Sequence, residues 1–296
     1  MNNAFDRYEE ASRRAEQFLV EHQITTLPID PIAIAKDLDI EVHAKPVKAA
    51  GASGMLIRVG QAFAIAYATH IESQGFRRFS IGHELGHFLL PGHAEAILDD
   101  KGVHESFAGF RSDNVFEKEA DSFAAALLMP GGPFSAALRK TEPGLEAIED
   151  LATLCLTSLP ATAIRYAQFA DYPVAVVVST GPSIDFCAMS ETFKTLKDIE
   201  WLKKGQPVPR LSHTHAFNQN KKRVLESERI ANVSKLHDWF GAGPDWELLE
   251  EVLGLGGYGK TLTVLRPLIP DMEEEDEEEQ EFERTLEESW IPRFHK

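Results

Sequence analysis

The chain has 296 residues, 43% apolar and 26% charged, the balance of a globular protein with room for one large or two modest domains. Two cysteines, Cys155 and Cys187, are too few for a disulfide framework or a cysteine-built metal site. The net charge of -17 is concentrated: Asp271 to Glu288 holds twelve acidic residues against one basic one, Arg284, which leaves only -6 for the rest and no clustered Lys/Arg footprint for nucleic acid.

In chain order, the first segment has acidic residues where a secretory signal would carry only basic ones, and no run in the chain approaches the length of a membrane span, so a cytoplasmic protein without membrane contact is expected. The spacing of Ala11, Ala15, Phe18 and Leu19 predicts an amphipathic helix from Phe5 to about Glu21, and "PIDPIAIAKDLDI" a second one opening after Pro31. "IEVHAK", "SGMLIRV" and "AFAIAY" read as three strands. The segment "RRFSIGHELGHFLL" and the run "VFEKEADSFAAALLMP", stopped at Pro130, read as helices. Beyond Pro130, "FSAALRK", "GLEAIEDLATLCL" and "SLPATAIRYAQFA" read as short helices, "VAVVVST" and "TLTVLRPLI" as strands of a smaller α/β unit, and "GLGGYGK" as a turn without phosphate-loop spacing. "LSHTHAF" would put His213 and His215 on one face of a strand. "DMEEEDEEEQEFE" is expected to stay solvated and disordered, because like charges at that density repel and bury nothing. Trp290, Ile291 and Phe294 follow it as an aromatic anchor for the tail.

His83, Glu84 and His87 carry the chemistry. On a helix, positions i and i+4 lie one above the other, so the two imidazoles aim at a common point and can grip one ion. Glu84 is displaced about 100° around the axis and reaches toward a water on that ion without taking a coordination place. This is the HExxH arrangement, in which two neutral imidazoles ligate zinc and the glutamate is general base. Phe79, Ile81, Leu85, Phe88 and Leu89 would bury the helix, and two histidines and a glutamate are costly to bury without a metal or partners.

A catalytic zinc needs a third protein ligand and an open fourth position. His93, His104, Glu95, Glu105, Glu117, Glu119, His213 and His215 are the candidates. Spacing in "EKEAD" favours Glu117, because Asp121 shares its helix face and could accept an N–H from a ligating histidine, with Glu119 and His93 as the alternatives. For the oxyanion, Tyr166 or His213 could supply a hydrogen bond. The strand "QAFAIAY", with Ala64 at its centre, is the expected edge for an extended peptide.

"RRFSIGHELGHFLL" followed by "EKEADSFAAALLMP" resembles the ImmA/IrrE family of zinc metallopeptidases, and the likeness runs upstream through "PIDPIAIAKDLDIEV" and "SGMLIRV". It is strong from Asp30 to Pro133; "LPATAIRYAQFADYPVAVVVS" and "ESWIPRF" carry a softer likeness to longer members. Carried onto the matching positions, the resemblance implies His83, His87 and Glu117 as zinc ligands, Glu84 as the catalytic glutamate and Asp121 behind a ligating histidine. It implies Zn2+, with Mn2+ as a substitute in vitro, and a protein substrate, a helix-turn-helix repressor of the phage type whose cleavage relieves repression under stress. The alternative is a regulatory binding protein whose zinc is structural or active only on a signal. No helix-turn-helix domain fits residues 1 to 30, so the repressor would be a separate protein. "IEDLATLCLTSLPATAIRYAQF" has a helix-turn-helix rhythm, but Arg165 is its single basic residue, which points to packing.

The expected fold is α+β. A zincin-like domain with a small sheet and active-site helices spans 1–140, a helical segment 141–170, a smaller α/β domain 171–270, the acidic segment 271–288 and a tail 289–296.

Overall fold

A computed structural model of the protein describes residues 3–45, 52–69, 73–106 and 114–268. The acidic segment 271–288 and the tail 289–296 lie outside the described residues.

The first half is built on a four-stranded sheet and three long helices. Helix α1 (Asn3–Glu21) is followed by the short α2 (Pro31–Asp37) and strands β1 (Glu41–Lys45), β2 (Gly54–Val59) and β3 (Ala62–Ala68). Then come α3 (Gln74–Leu89), α4 (His93–Ile97), β4 (Val103–Ser106) and α5 (Val115–Leu128). The strand order is β1-β3-β2-β4, with β1 parallel to β3 and the other pairs antiparallel. Local chemistry sets the helix starts: the Asp30 carboxylate accepts from the amides of Ile32 and Ala33 with Pro31 in the first turn, Ser73 caps α3, and Asn114 caps α5. One core lies under this sheet, where Leu56 and Ile65 from the strands meet Ile81, Leu85, Phe123 and Leu127 from α3 and α5, and Ala11, Ala15, Phe18 and Leu19 from α1.

Three helices, α6 (Gly131–Leu138), α7 (Leu145–Cys155) and α8 (Leu159–Phe169), lead into the second half. Its sheet holds β5 (Ala175–Thr180), β6 (Ser183–Met189), β7 (Arg229–Lys235), β8 (Glu247–Gly254) and β9 (Thr261–Pro267), in the order β6-β5-β9-β8-β7. The short helices α9 (Glu191–Lys194), α10 (His213–Asn218), α11 (Lys221–Leu225) and α12 (Leu236–Phe240) fill its connections, and a single 3-10 turn at Gly256–Tyr258 joins β8 to β9. Every pair in this sheet is antiparallel, so the expected α/β unit is α+β instead. The continuous apolar run of "VAVVVST" is explained by cover on both faces. Val176 and Val178 pack with Leu145, Ile148, Tyr166 and Phe134, while Ala175 and Val177 face Phe193, Trp239 and Phe240.

The helix-turn-helix rhythm at residues 145–169 is real as geometry: α8 turns 112° from α7. Its apolar faces are spent in the core, and Arg165 is engaged by Glu16, the Met129 carbonyl and the Phe169 ring. The same core takes in Phe79, Ala124 and Leu128, so α6–α8 form a layer between the α3–α5 pair and the second sheet. Among the described residues no single helix is long and apolar enough to cross a membrane; the bent pair α7 and α8 passes on composition but lies in this core.

Candidate metal centre

The distance between α3 and α5 is set by small residues. Gly86 lies so close to α5 that a Cβ there would come within 3.2 Å of the Ala120 Cα, and one at Gly82 would sit 3.4 Å from the Ala124 Cβ. Two glycines one turn apart on α3, facing alanines one turn apart on α5, let the backbones approach closely. The side chains on the flanking face, His83 and His87 from α3 and Glu117 and Asp121 from the first turns of α5, are thereby brought into contact.

His83, His87 and Glu117 are all buried, and one ligand atom from each converges on a common point. The two Nε2 atoms are 3.1 Å apart, His87 Nε2 is 3.3 Å from Glu117 Oε1, and His83 Nε2 is 3.4 Å from Glu117 Oε2. Ligands about 2.0–2.1 Å from a tetrahedral zinc are separated by about 3.3–3.4 Å, close to the separations here between the two imidazole nitrogens and from each of them to one oxygen of the Glu117 carboxylate. Asp121 Oδ1 accepts the Nδ1–H of His83 at 2.8 Å, which fixes the tautomer and leaves the Nε2 lone pair pointing into the cluster.

The electrostatics agree with a site made for positive charge. Burial alone lowers an imidazole pKa, but hydrogen bonds to Asp121 and Glu117 outweigh it at His83 and push it up to about 10. At His87 burial wins over Glu117 and the value falls to about 3. Glu117 is desolvated, yet hydrogen bonds from His104, His83 and His87 hold its carboxyl far below the ordinary carboxylate range. The donor set, two imidazoles and one carboxylate, is that of a catalytic zinc site, and a divalent cation supplies the charge a shared proton would otherwise bring.

Glu84 lies beside this cluster with no solvent exposure, and neither carboxylate oxygen has a hydrogen-bond partner. Burial raises it to about 7, against the opposing pull of His83. Its space is carved from β2: a Cβ on Gly54 would fall 2.4 Å from Glu84 Oε1. The Ser106 hydroxyl, at the end of β4, is also buried; it makes no hydrogen bond of normal geometry but lies near enough to Glu84 to pull its pKa down against the effect of burial.

Residues 35–165, which contain every one of these groups, match the family model described as the IrrE N-terminal-like domain. Over this segment the chain is similar to the ImmA/IrrE family. The radiation response metalloprotease IrrE of Deinococcus radiodurans is 26% identical over 151 residues, 45% of this chain and 44% of that protein. Its namesake from Deinococcus deserti is 30% identical over 102 residues, 34% of this chain and 35% of that one. The aligned segments thus span less than half the length of either relative. A solved structure of a Mycobacterium tuberculosis transcriptional regulator is similar in fold, with a TM-score of 0.55 at 16% identity over 90% of this chain and 80% of that one.

Within this IrrE-like domain the other candidate ligands separate. Glu119 turns away from Glu117: it takes Arg7 in a bidentate ion pair and accepts from His93 Nε2 at 3.0 Å. His93 stands behind His87, their Nδ1 atoms 3.2 Å apart. His104, on β4, donates from Nε2 to Glu117 Oε1 at 2.9 Å. Glu95 and Glu105 are exposed. Tyr166 is fully buried in the other core, where its hydroxyl accepts from the Gly144 amide and from Tyr172, so it is no oxyanion donor. His213 and His215 lie on α10, not on a strand; two positions apart on a helix they face different ways, and His213 bonds the Val233 carbonyl of β7. The strand carrying Ala64 is no edge: β3 is paired on both sides, and the edge on the far side of β2 is β4. His104, Gly54 and the Gly82/Gly86 pair were the contributions hardest to assign from sequence. The signal for the glycines was there, in their i, i+4 spacing on a helix otherwise rich in large apolar residues.

Proposed function

We propose that the protein is a zinc-dependent endopeptidase in which His83, His87 and Glu117 hold the ion, Asp121 orients His83 and Glu84 is the general base. The observation that carries this reading is the Glu84 carboxylate, fully buried against the donor cluster without a partner of its own. A buried carboxylate left unsatisfied is costly, and it is retained where the missing partner is a reacting one. When bound, the ion supplies Lewis acidity to a water and to the scissile carbonyl. Glu84, with its proton affinity raised by burial into the neutral range, takes the proton of the attacking water and passes it to the leaving amine. Gly54 keeps that carboxylate in place by leaving room for it.

An extended peptide would pair with β4, the edge strand next to the cluster among the described residues, where His104 would serve as a donor to the carbonyl oxygen. Resemblance to the ImmA/IrrE family supports a helix-turn-helix repressor as the substrate, cytoplasmic action and a role in stress-linked transcription. The two Deinococcus relatives, named as radiation response metalloproteases, support the same class of activity.

One observation favours a second reading. With His104 Nε2 2.9 Å from Glu117 Oε1, His104 could complete a closed, structural zinc site in a regulator that binds without cutting. A single comparison decides between them. Glu84→Gln should keep its zinc and lose cleavage of a helix-turn-helix repressor of the phage type that the wild type cuts, assayed with zinc or manganese. If Glu84→Gln still relieves repression in cells, the peptidase reading is wrong.

A further inference from the structure

The two histidines of the cluster are supported differently. His83 donates directly to a carboxylate, Asp121. His87 has no carboxylate behind it; its Nδ1 meets another imidazole, the Nδ1 of His93, at 3.2 Å. Two ring nitrogens at that distance form a hydrogen bond only if one carries the proton and the other a lone pair. The rest of the chain of contacts decides which. Arg7 donates to both oxygens of Glu119, so that carboxylate is the acceptor, and His93 Nε2 at 3.0 Å must be the N–H. A neutral His93 then presents a lone pair at Nδ1, His87 Nδ1 becomes the donor, and the lone pair of His87 is left at Nε2, facing His83 and Glu117.

From this order we infer that Arg7, Glu119 and His93 are positioning residues that hold His87 in its metal-binding tautomer through a relay of guanidinium, carboxylate and imidazole. The inference rests on the reading of His87 as a ligand in the proposed function. The relay is packed as well as bonded: the Phe116 ring takes the edge of His93 at 5.0 Å, and the Arg7 guanidinium lies 5.7 Å from its centroid. Its inner members are buried, whereas Arg7 borders a cleft of about 460 Å³ between α1 and the end of α3 and is partly open to water. Helix α1, outside residues 35–165, is thereby tied to the proposed metal ligand His87 through two intervening residues, Glu119 and His93.

The test uses the full chain and zinc itself. Zinc affinity is measured by competition with a chromophoric chelator in the wild type, Glu119→Gln, His93→Phe, His93→Asn and Arg7→Met, along with the thermal midpoint of each metal-free protein and the visible spectrum of each cobalt-loaded one. Loss of an outer partner of a metal-ligating histidine weakens binding about 10–100-fold. We expect a loss of that size in His93→Phe and Glu119→Gln and a smaller one in Arg7→Met, with a displaced cobalt ligand-field band. His93→Asn, which keeps an acceptor near the Nδ1 position, should recover part of the affinity. The double variant Glu119→Gln/His93→Phe should be little worse than His93→Phe alone, as members of one chain are not additive. Glu16→Gln, on α1 but bonded to Arg165 and Gly131, should bind zinc like the wild type. Zinc affinity in His93→Phe and Glu119→Gln within twofold of wild type would overturn the relay while leaving the metal site standing, as would an equal loss in Glu16→Gln. A wild type that binds no zinc removes the metal-site reading itself.

Discussion

Among the described residues two glutamates have no solvent exposure, one in each half, and they are treated in opposite ways. Glu250, on β8, has its carboxylate filled: Thr214 donates from its amide at 2.6 Å and its hydroxyl at 2.7 Å, and the Trp239 indole donates at 3.1 Å. Thr214 and Thr263 continue that network at 2.7 Å. Glu84, on α3, has neither oxygen satisfied, although it sits among histidines. The satisfied acid ties short helices to a sheet; the unsatisfied one faces three convergent donor atoms. Burial of an acid therefore says little about its role, and the state of its hydrogen bonds says much.

The contrast can be broken by exchanging the readouts. Glu84→Gln should lower peptide cleavage about 10²–10⁴-fold while zinc content stays at wild-type level and the metal-free thermal midpoint is unchanged or raised, since an unpaired buried acid is removed. A drop in that midpoint would place Glu84 with Glu250 as a structural group. Next in size, zinc at a hundredfold excess over its Kd should stabilise the fold by about 2.7 kcal/mol, seen as a raised midpoint that a chelator reverses and that His87→Ala abolishes. Gly54→Ala sharpens the comparison, because a displaced carboxylate should cut the rate about tenfold or more without loss of zinc; an unaffected rate would mean that Glu84 needs no fixed seat. Smallest in its reach, Glu250→Leu should cost about 1–3 kcal/mol of stability in denaturant titration and leave zinc affinity untouched.

How far the sequence could be read depended on how local each contact is. The spacing of His83, Glu84 and His87 needs only one helix, and the shared face of Glu117 and Asp121 only another, so both were legible. The partners of His93 and Glu119 were not, because their relay joins α1, the start of α4 and α5, segments more than a hundred residues apart at the extreme. Strand β4 was missed for a different reason: "VHES" is four residues long with two charged or titratable side chains, and it is a strand only because β2 offers it an edge. The strand carrying Ala64 is central for a separate reason, the parallel pairing of β1 with the side of it that β2 leaves open. In the second half, β8 hides its alternation by burying Glu250 among leucines and valines, a pattern explained only once Thr214 and Trp239 arrive from elsewhere in the chain.

The most direct measurement is X-ray absorption at the zinc edge on the full-length protein purified without added chelator, with metal content determined on the same sample. One zinc per chain, ligated by two imidazoles, one carboxylate and one exchangeable light atom, is the predicted result. A protein free of metal, or a zinc with three imidazoles and no exchangeable position, would contradict the account.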